Sequence, residues 1–374
     1  MTDRFITLAI HKIEKASILR QLLGDNDIAA VLEPLGDSTN TQNINGYVVK
    51  VRQKDLYRAF QLIEEHNLFN YSDKLTHKID DGRKRILVAV DFSKQSLQAC
   101  HTAFDIASKV DAKVKILNVF HNLYFPTTIP FSDSLKEPGE PSILDRSRKQ
   151  MLDLCHEIDA DIASGDLSSV NYSYSLREGS VADEINDFVT EYQPILLIMG
   201  TKGAGDNRAD PLGNIAASVI EITNVPVLAI SQDDTIKTLS DINHIVFLTN
   251  LNKRDFLSFD FLASILNQYT QAKITLLHID GTDQNSQQRK EAEMAEMKKL
   301  LSLKYPKFEI AATMLEPDEN MYEKINNFLT QEKVNVVCLN TRRRNLFGRM
   351  FAPSMSRKVI ANSQVSILVL RGNQ

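Results

Sequence analysis

The chain has 374 residues, more than one ordinary domain carries, and 43% of them are hydrophobic, enough for two or three conventional cores. A net charge of −5 with no basic excess argues against nonspecific nucleic-acid binding. Three cysteines without a CxxC pair exclude a disulfide framework and a cysteine zinc site, and no apolar run approaches the length of a membrane span. The opening "MTDRFITLAIHKIEK" lacks the apolar stretch of a signal peptide, so the expectation is a soluble protein of the cytosol.

Residues 1–72 read strand, helix, strand, strand, helix. "FITLAI" alternates as a strand, and "EKASILRQLL" is helical with Ile18, Leu19, Leu22 and Leu23 on one face. "IAAVLE" is a strand, the polar "GDSTNTQNING" (36–46) a loop and "YVVKV" a strand. "DLYRAFQLIEEH" closes the segment as a helix with Leu56, Ala59, Phe60 and Ile63 in register. This predicts a small α+β module, β-α-β-β-α. The polar stretches at 70–84 and 231–241 read as linkers.

Residues 83–232 alternate strand and helix. "RILVAVDFS" opens on an apolar strand of the kind buried on both faces of a parallel sheet. A helix ("SLQACHTAFDIASKV"), a strand ("AKVKILNVF") and a loop with Pro126, Pro130, Pro138 and Pro141 follow, then a helix over about 143–164. "VNYSYSL" is a strand, and Ser180 with Asp183 reads as a capping box opening a helix to about 192. "ILLIM" is a strand, followed by a glycine-rich loop, a helix and the strand "VPVLAI".

Residues 241–374 repeat this pattern. "INDFVT" (185–190) matches "INNFLT" (325–330), and "ASVIEITNVPVLAI" (217–230) matches the stretch 357–370, at a constant separation of 140 residues. The fold class predicted is therefore α/β: two tandem doubly wound, five-stranded parallel-sheet (Rossmann-like) domains, 83–232 and 241–374, preceded by the 1–72 module.

The loop "MGTKGAGDNRADPLGN" (199–214) is the candidate site. Gly200, Gly203 and Gly213 follow the spacing G-xx-G-(nine)-G, between a strand end and a helix start. Bare backbone N–H groups and the helix dipole attract phosphate at such a place, and glycine leaves room for close approach or a left-handed turn. Asp91, at the end of the first strand, offers an acceptor to a ribose or an adenine amino group. No GxxxxGK[ST] or GxGxxG pattern is present. In the second copy Asn250, Asn340, Arg343 and Pro353 stand where the first has Asp91, Gly200, Gly203 and Gly213.

These residues resemble the universal stress protein family, twice over. The resemblance spans about 83–374 and is carried by "ILVAVDFS", by Glu178-Gly179-Ser180-Val181-Ala182, by "LLIMGTKG", by the glycine spacing and by "NVPVLAI". It implies a cytosolic stress-response or regulatory role. It implies a site for ATP, ADP or AMP, with Mg2+ a candidate companion, in the first domain. Asp91, Val119, Met199 and Gly200 would hold the adenosine. Gly203, Gly213 and Asn214 would hold the phosphates, with Lys202 and Arg208 as counter-charges. Asn214 stands where the family usually has Ser or Thr, and Asp206 and Asp210 where basic residues are commoner. Residues 1–72 resemble, in pattern alone, a small family of prokaryotic signal-transducing domains.

No nucleophile–base pair or metal cluster is placed near the loop, so no catalytic residue is assigned. At most, slow ATP hydrolysis with Mg2+ on Asp91 or Asp206 is expected. The alternative is a nucleotide-independent interaction scaffold whose loop is only a turn. Cys100, Cys338 and His278 read as packing residues, as does the stripe Met294, Met297, Leu300 and Leu301. The basic cluster Arg342, Arg343, Arg344, Arg349, Arg357 and Lys358 reads as a solvated loop or an anion or partner site. Finally, 226–231 and 366–371 are expected to lie antiparallel, making an intramolecular pseudo-dimer that leaves neither last strand as a bare edge.

Overall fold

The computed structural model describes residues 5–11, 13–34, 47–55, 58–59, 62, 83–120, 143–201, 213–231, 236, 238–266, 272–279, 284–316, 321–341 and 365–371. The chain forms two compact units: Met1–Arg83 with Cys155–Tyr172, and Lys84–Leu154 with Ser173–Gln374.

In the first unit, β1 (Phe5–His11), α1 (Ile13–Asp25), β2 (Ala30–Pro34) and β3 (Tyr47–Arg52) form an antiparallel sheet in the order β1-β3-β2. Ala16, Leu19 and Leu23 of α1 are fully buried with Val49 and Val51 of β3. Ile18, expected on that face, is 52% exposed. It sits about 100° around the helix from Leu19, outside the three-residue stripe. Ala59 and Leu62 are helical and buried. Leu56, Phe60 and Ile63 lie outside the described residues. Within 155–172, the Tyr172 hydroxyl donates to Asp159 Oδ1 at 2.7 Å. Burial pushes the Asp159 carboxyl up to about 7, against the lowering effect of that hydrogen bond.

The second unit is built on one ten-stranded sheet, in the order β11-β10-β9-β12-β13-β8-β7-β4-β5-β6. The first five strands in sequence are β4 (Lys84–Val90), β5 (Ala112–Phe120), β6 (Tyr172–Glu178), β7 (Leu196–Gly200) and β8 (Val227–Ile230). They alternate with α2 (Lys94–Val110), α3 (Ile143–Ser164), α4 (Val181–Tyr192) and α5 (Asn214–Ile222). The other five are β9 (His244–Leu248), β10 (Lys273–Ile279), β11 (Glu309–Leu315), β12 (Val336–Thr341) and β13 (Ser366–Arg371). Their described helices are α6 (Lys253–Leu266), α7 (Gln284–Lys304) and α8 (Met321–Gln331).

β4 is buried from Ile86 to Val90, as its unbroken apolar run predicts for a strand covered on both faces. Leu87, Leu117, Leu197 and Met199 pack with Phe188 of α4 and Val219 of α5. β8 and β13 meet antiparallel, with Val227 opposite Val369, Leu228 opposite Leu368 and Ala229 opposite Ile367.

Three local expectations are corrected. Ser180 opens α4, but its side chain makes no capping bond, so "SVAD" is not a working capping box. Such a box stands instead at Thr238–Asp241, in the stretch read as a linker. That stretch is docked on α2: Gln98 Nε2 donates to Ile236 O at 3.0 Å, and Leu239 N donates to buried Asp105 Oδ2 at 2.8 Å. On α7, Met294, Met297 and Leu301 are buried, but Leu300 is 47% exposed at the border of the stripe. Cys100 and Cys338 are fully buried, which pushes both thiols well above their usual range.

Candidate functional site

Three adjacent strands end together. β4 lies between β5 and β7, all parallel, with Val90 opposite Asn118 and Ala89 opposite Met199. The chain runs outward from β4 through β5 to β6 on one side and from β7 to β8 on the other. The gap between the ends of β4 and β7 is therefore a topological switch point, the place where open α/β sheets hold ligands.

Asp91 emerges at that gap and is held there. Its Oδ1 accepts from Ser93 N at 3.2 Å, Ser93 Oγ at 2.6 Å and Ser96 Oγ at 2.5 Å, while its own N–H donates to Ser96 Oγ at 2.8 Å. Ser93 is also the N-cap of α2, accepting from Ser96 N at 3.2 Å. Phe92 between them takes the left-handed conformation (φ 63), which costs a bulky residue about 1–2 kcal/mol. The D-x-S-x-x-S spacing carried the signal for this arrangement, and the roles of Ser93 and Ser96 were missed in the sequence.

On the neighbouring strand, Asn118 Nδ2 donates to Val90 O at 2.9 Å, and Asn118 Oδ1 is buried with no partner among the described residues. Val119 is half-buried on the opposite face, packed against the core under α4 and α5. Met199 is 6% exposed and its side chain belongs to that same core, so only its main chain faces the strand end.

Past Gly200, Thr201 N donates to Ile230 O at 2.8 Å and Thr201 O accepts from Gly213 N at 2.7 Å. The second bond closes the base of the glycine loop. Thr201 Oγ1 is buried with no partner among the described residues, a second orphan atom beside the gap. Lys202 and Gly203 lie outside the described residues, as do Asp206, Arg208 and Asp210.

Gly213 is the N-cap of α5, with φ −66 and ψ 157. Those angles suit any residue, so no left-handed turn explains the glycine here. Its N–H is also spent on Thr201 and cannot face a ligand. What the glycine leaves is an uncapped helix start. With no side chain at the cap, the N–H groups of Asn214, Ile215 and Ala216 have no acceptor among the described residues. Asn214 is exposed as the first residue of α5.

The structure thus brings Asp91, Val119, Gly200, Gly213 and Asn214 to one edge of the sheet. Among the described residues no group of His, Cys, Asp and Glu could hold a metal ion, and no helix is long and apolar enough to cross a membrane.

Residues 82–231 match the family model described as the universal stress protein family. A universal stress protein of Methanocaldococcus jannaschii is 27% identical over 161 residues, spanning 40% of this chain and 82% of that relative. Among solved structures, a universal stress protein from Archaeoglobus fulgidus DSM 4304 matches with TM-score 0.57 at 16% identity, covering 77% of this chain and 98% of that one. A functionally unknown protein from Pseudomonas aeruginosa PAO1 matches with TM-score 0.52 at 12% identity, covering 78% and 93%. These two share the fold. Residues 82–231 thus match the universal stress protein family as a domain, within a chain whose wider fold is shared with those structures.

Proposed function

We propose that the chain is a cytosolic stress-response or regulatory protein that binds one adenine nucleotide, ATP, ADP or AMP, in its first stress domain. Residues 83–232 and 241–374 are two such domains in tandem, paired within the chain across β8 and β13, with 1–72 as a separate module. The ten-stranded sheet supports this reading, as does a shared fold that extends over 77% of the chain.

The observation that carries the nucleotide reading is the uncapped start of α5 at the switch point between β4 and β7. Three N–H groups there await an anion, and the helix dipole adds about 0.3–1 kcal/mol in its favour. The N–H groups of Asn214, Ile215 and Ala216 receive the phosphates at the helix start that Gly213 leaves without a capping side chain, with Lys202 and Gly203 contributed by the loop. Asp91, Val119 and the main chain at Met199–Gly200 receive the nucleoside, and the orphan atoms of Asn118 and Thr201 lie beside it. Heating the purified protein and analysing the supernatant for released nucleotide tests this. Adenine nucleotide in amounts near the protein is expected, and none, with none bound on readdition, refutes the reading.

One observation favours a second reading, the nucleotide-independent scaffold. Asp91 Oδ1 already accepts three hydrogen bonds from its own loop, as a purely structural cap would.

A further inference from the structure

The carboxyl ends of β9, β10 and β12 repeat the geometry of the candidate site. Leu248 lies opposite Leu339 as Ala89 lies opposite Met199, which sets Thr249 level with Asn340 as Val90 is with Gly200. Leu251 takes the left-handed conformation of Phe92, φ 58 against 63. His278 Nδ1 donates to Thr249 O at 2.8 Å, as Asn118 Nδ2 does to Val90 O. His278 Nε2 is buried without a partner among the described residues, as is Asn118 Oδ1.

What differs is the place of the carboxylate. In the first half Asp91 stands on the strand end and Ser96 on the helix that follows. In the second half Asn250 stands on the strand end and Asp255 on the helix. Asp255 is 1% exposed. Its Oδ2 accepts from Thr249 Oγ1 at 2.7 Å, Asn250 N at 3.0 Å and Asn252 N at 3.2 Å. Its Oδ1 accepts from Asn340 Nδ2 at 2.9 Å. Asn340, itself 8% exposed, is the residue in the place of Gly200.

We propose that Asn340 and Asp255 form an internal plug, occupying in the second half the crevice that a nucleoside takes in the first. The Asn340 carboxamide covers the strand end that Gly200 leaves bare. Its N–H donates to a carboxylate oxygen, the bond a ribose hydroxyl would otherwise make. A buried carboxylate with a full set of donors needs no ligand, so the arrangement holds without one. In sequence, Arg343 and Pro353 stand in place of two of the loop glycines, so the second half also lacks the glycine pattern of a phosphate loop. The ligand class it would admit once opened is a nucleoside without phosphates. The inference rests on the nucleotide reading of the first half for its ligand, but its internal contacts can be tested apart from it.

The test combines a stability cycle with a binding count, both on the full chain. Asn340→Gly alone strands a buried acceptor and should lower Tm by several degrees. Adding Asp255→Ser together with Asn250→Asp, which recreates the Asp91/Ser96/Gly200 set of the first half and supplies a carboxylate for the loop donors, should recover most of that loss. The triple variant Asn250→Asp/Asp255→Ser/Asn340→Gly should bind one more adenosine per chain than wild type, measured by equilibrium dialysis with adenosine itself. Tm losses that simply add, or an adenosine count unchanged from a wild type that binds one, overturn the plug. If wild type binds neither adenosine nor AMP, the first-half reading has failed and the Tm cycle alone decides.

Discussion

Gly213→Asp should raise stability and weaken nucleotide binding at once. The backbone at Gly213, φ −66 and ψ 157, is open to any residue, and the position is an N-cap without a capping group. An aspartate there can accept from the second or third N–H of α5. Aspartate improves on glycine at an N-cap by a few tenths of a kcal/mol, and the dipole adds to this, for a gain of about 0.5–1 kcal/mol. For a phosphate the same carboxylate is a competitor. It takes the N–H groups and sets a negative charge about 4 Å from the ligand, a repulsion between ~1 kcal/mol in water and ~4 kcal/mol at an effective dielectric near 20. A mid-range loss of about 2 kcal/mol weakens Kd roughly 30-fold. Thermal unfolding and titration calorimetry with ATP and AMP read the two effects. Because Gly213 is buried, Gly213→Ala serves as the control that adds a Cβ and no acceptor. An aspartate variant that binds as tightly as wild type, or that matches the alanine variant in both measurements, would refute the reasoning.

Other outcomes follow from single contacts. The folded pKa of Asp159 is raised to about 7 from 3.8, so the folded state holds a proton that the unfolded state releases. Its stabilising effect is full below about pH 4 and is lost as pH rises through about 7. Asp159→Asn should flatten the fall of Tm over that window, and an unchanged slope speaks against it. Leu228, 5% exposed and opposite Leu368 at the β8–β13 seam, should cost about 2–5 kcal/mol when cut to alanine, as measured by denaturant unfolding. Asn118→His should be tolerated, because His278 already donates the matching bond. Asn118→Leu, which leaves Val90 O without its donor, should cost about 1–3 kcal/mol in the same assay. Equal losses in the two variants would remove the hydrogen bond from the explanation.

The sheet was legible because its strands are short unbroken apolar runs such as "ILVAV" and "LLIM" alternating with helical patterns, as strands covered on both faces of a parallel sheet do. The edges of helical stripes were less so. Ile18 and Leu300 adjoin buried positions in sequence but sit a full 100° around the helix from them, and periodicity alone does not set how wide a buried face is. Ser180 matched a capping pattern, yet Gly179 before it has φ +152 and the Glu184 side chain lies against it, at 2.8 Å from where a Cβ would stand. The docking of Ile236 and Leu239 rests on their main-chain groups meeting the side chains of Gln98 and Asp105 on α2, which a polar sequence does not announce. At the candidate site, the strand ends and Asp91 were readable from spacing. The Asn250 replacement was readable too. That the carboxylate had moved five residues along, to Asp255, was not, because a lone acid in a first helical turn looks like an ordinary dipole partner.

The central claim is a single adenine-nucleotide site in the first half. Titration calorimetry with ATP and with AMP on the full chain tests it most directly, with Gly203→Val and Arg343→Ala measured beside wild type. No more than one nucleotide per chain is expected, with binding abolished by Gly203→Val and nearly unchanged by Arg343→Ala. Two equivalent sites, or binding that survives Gly203→Val and disappears in Arg343→Ala, would contradict it.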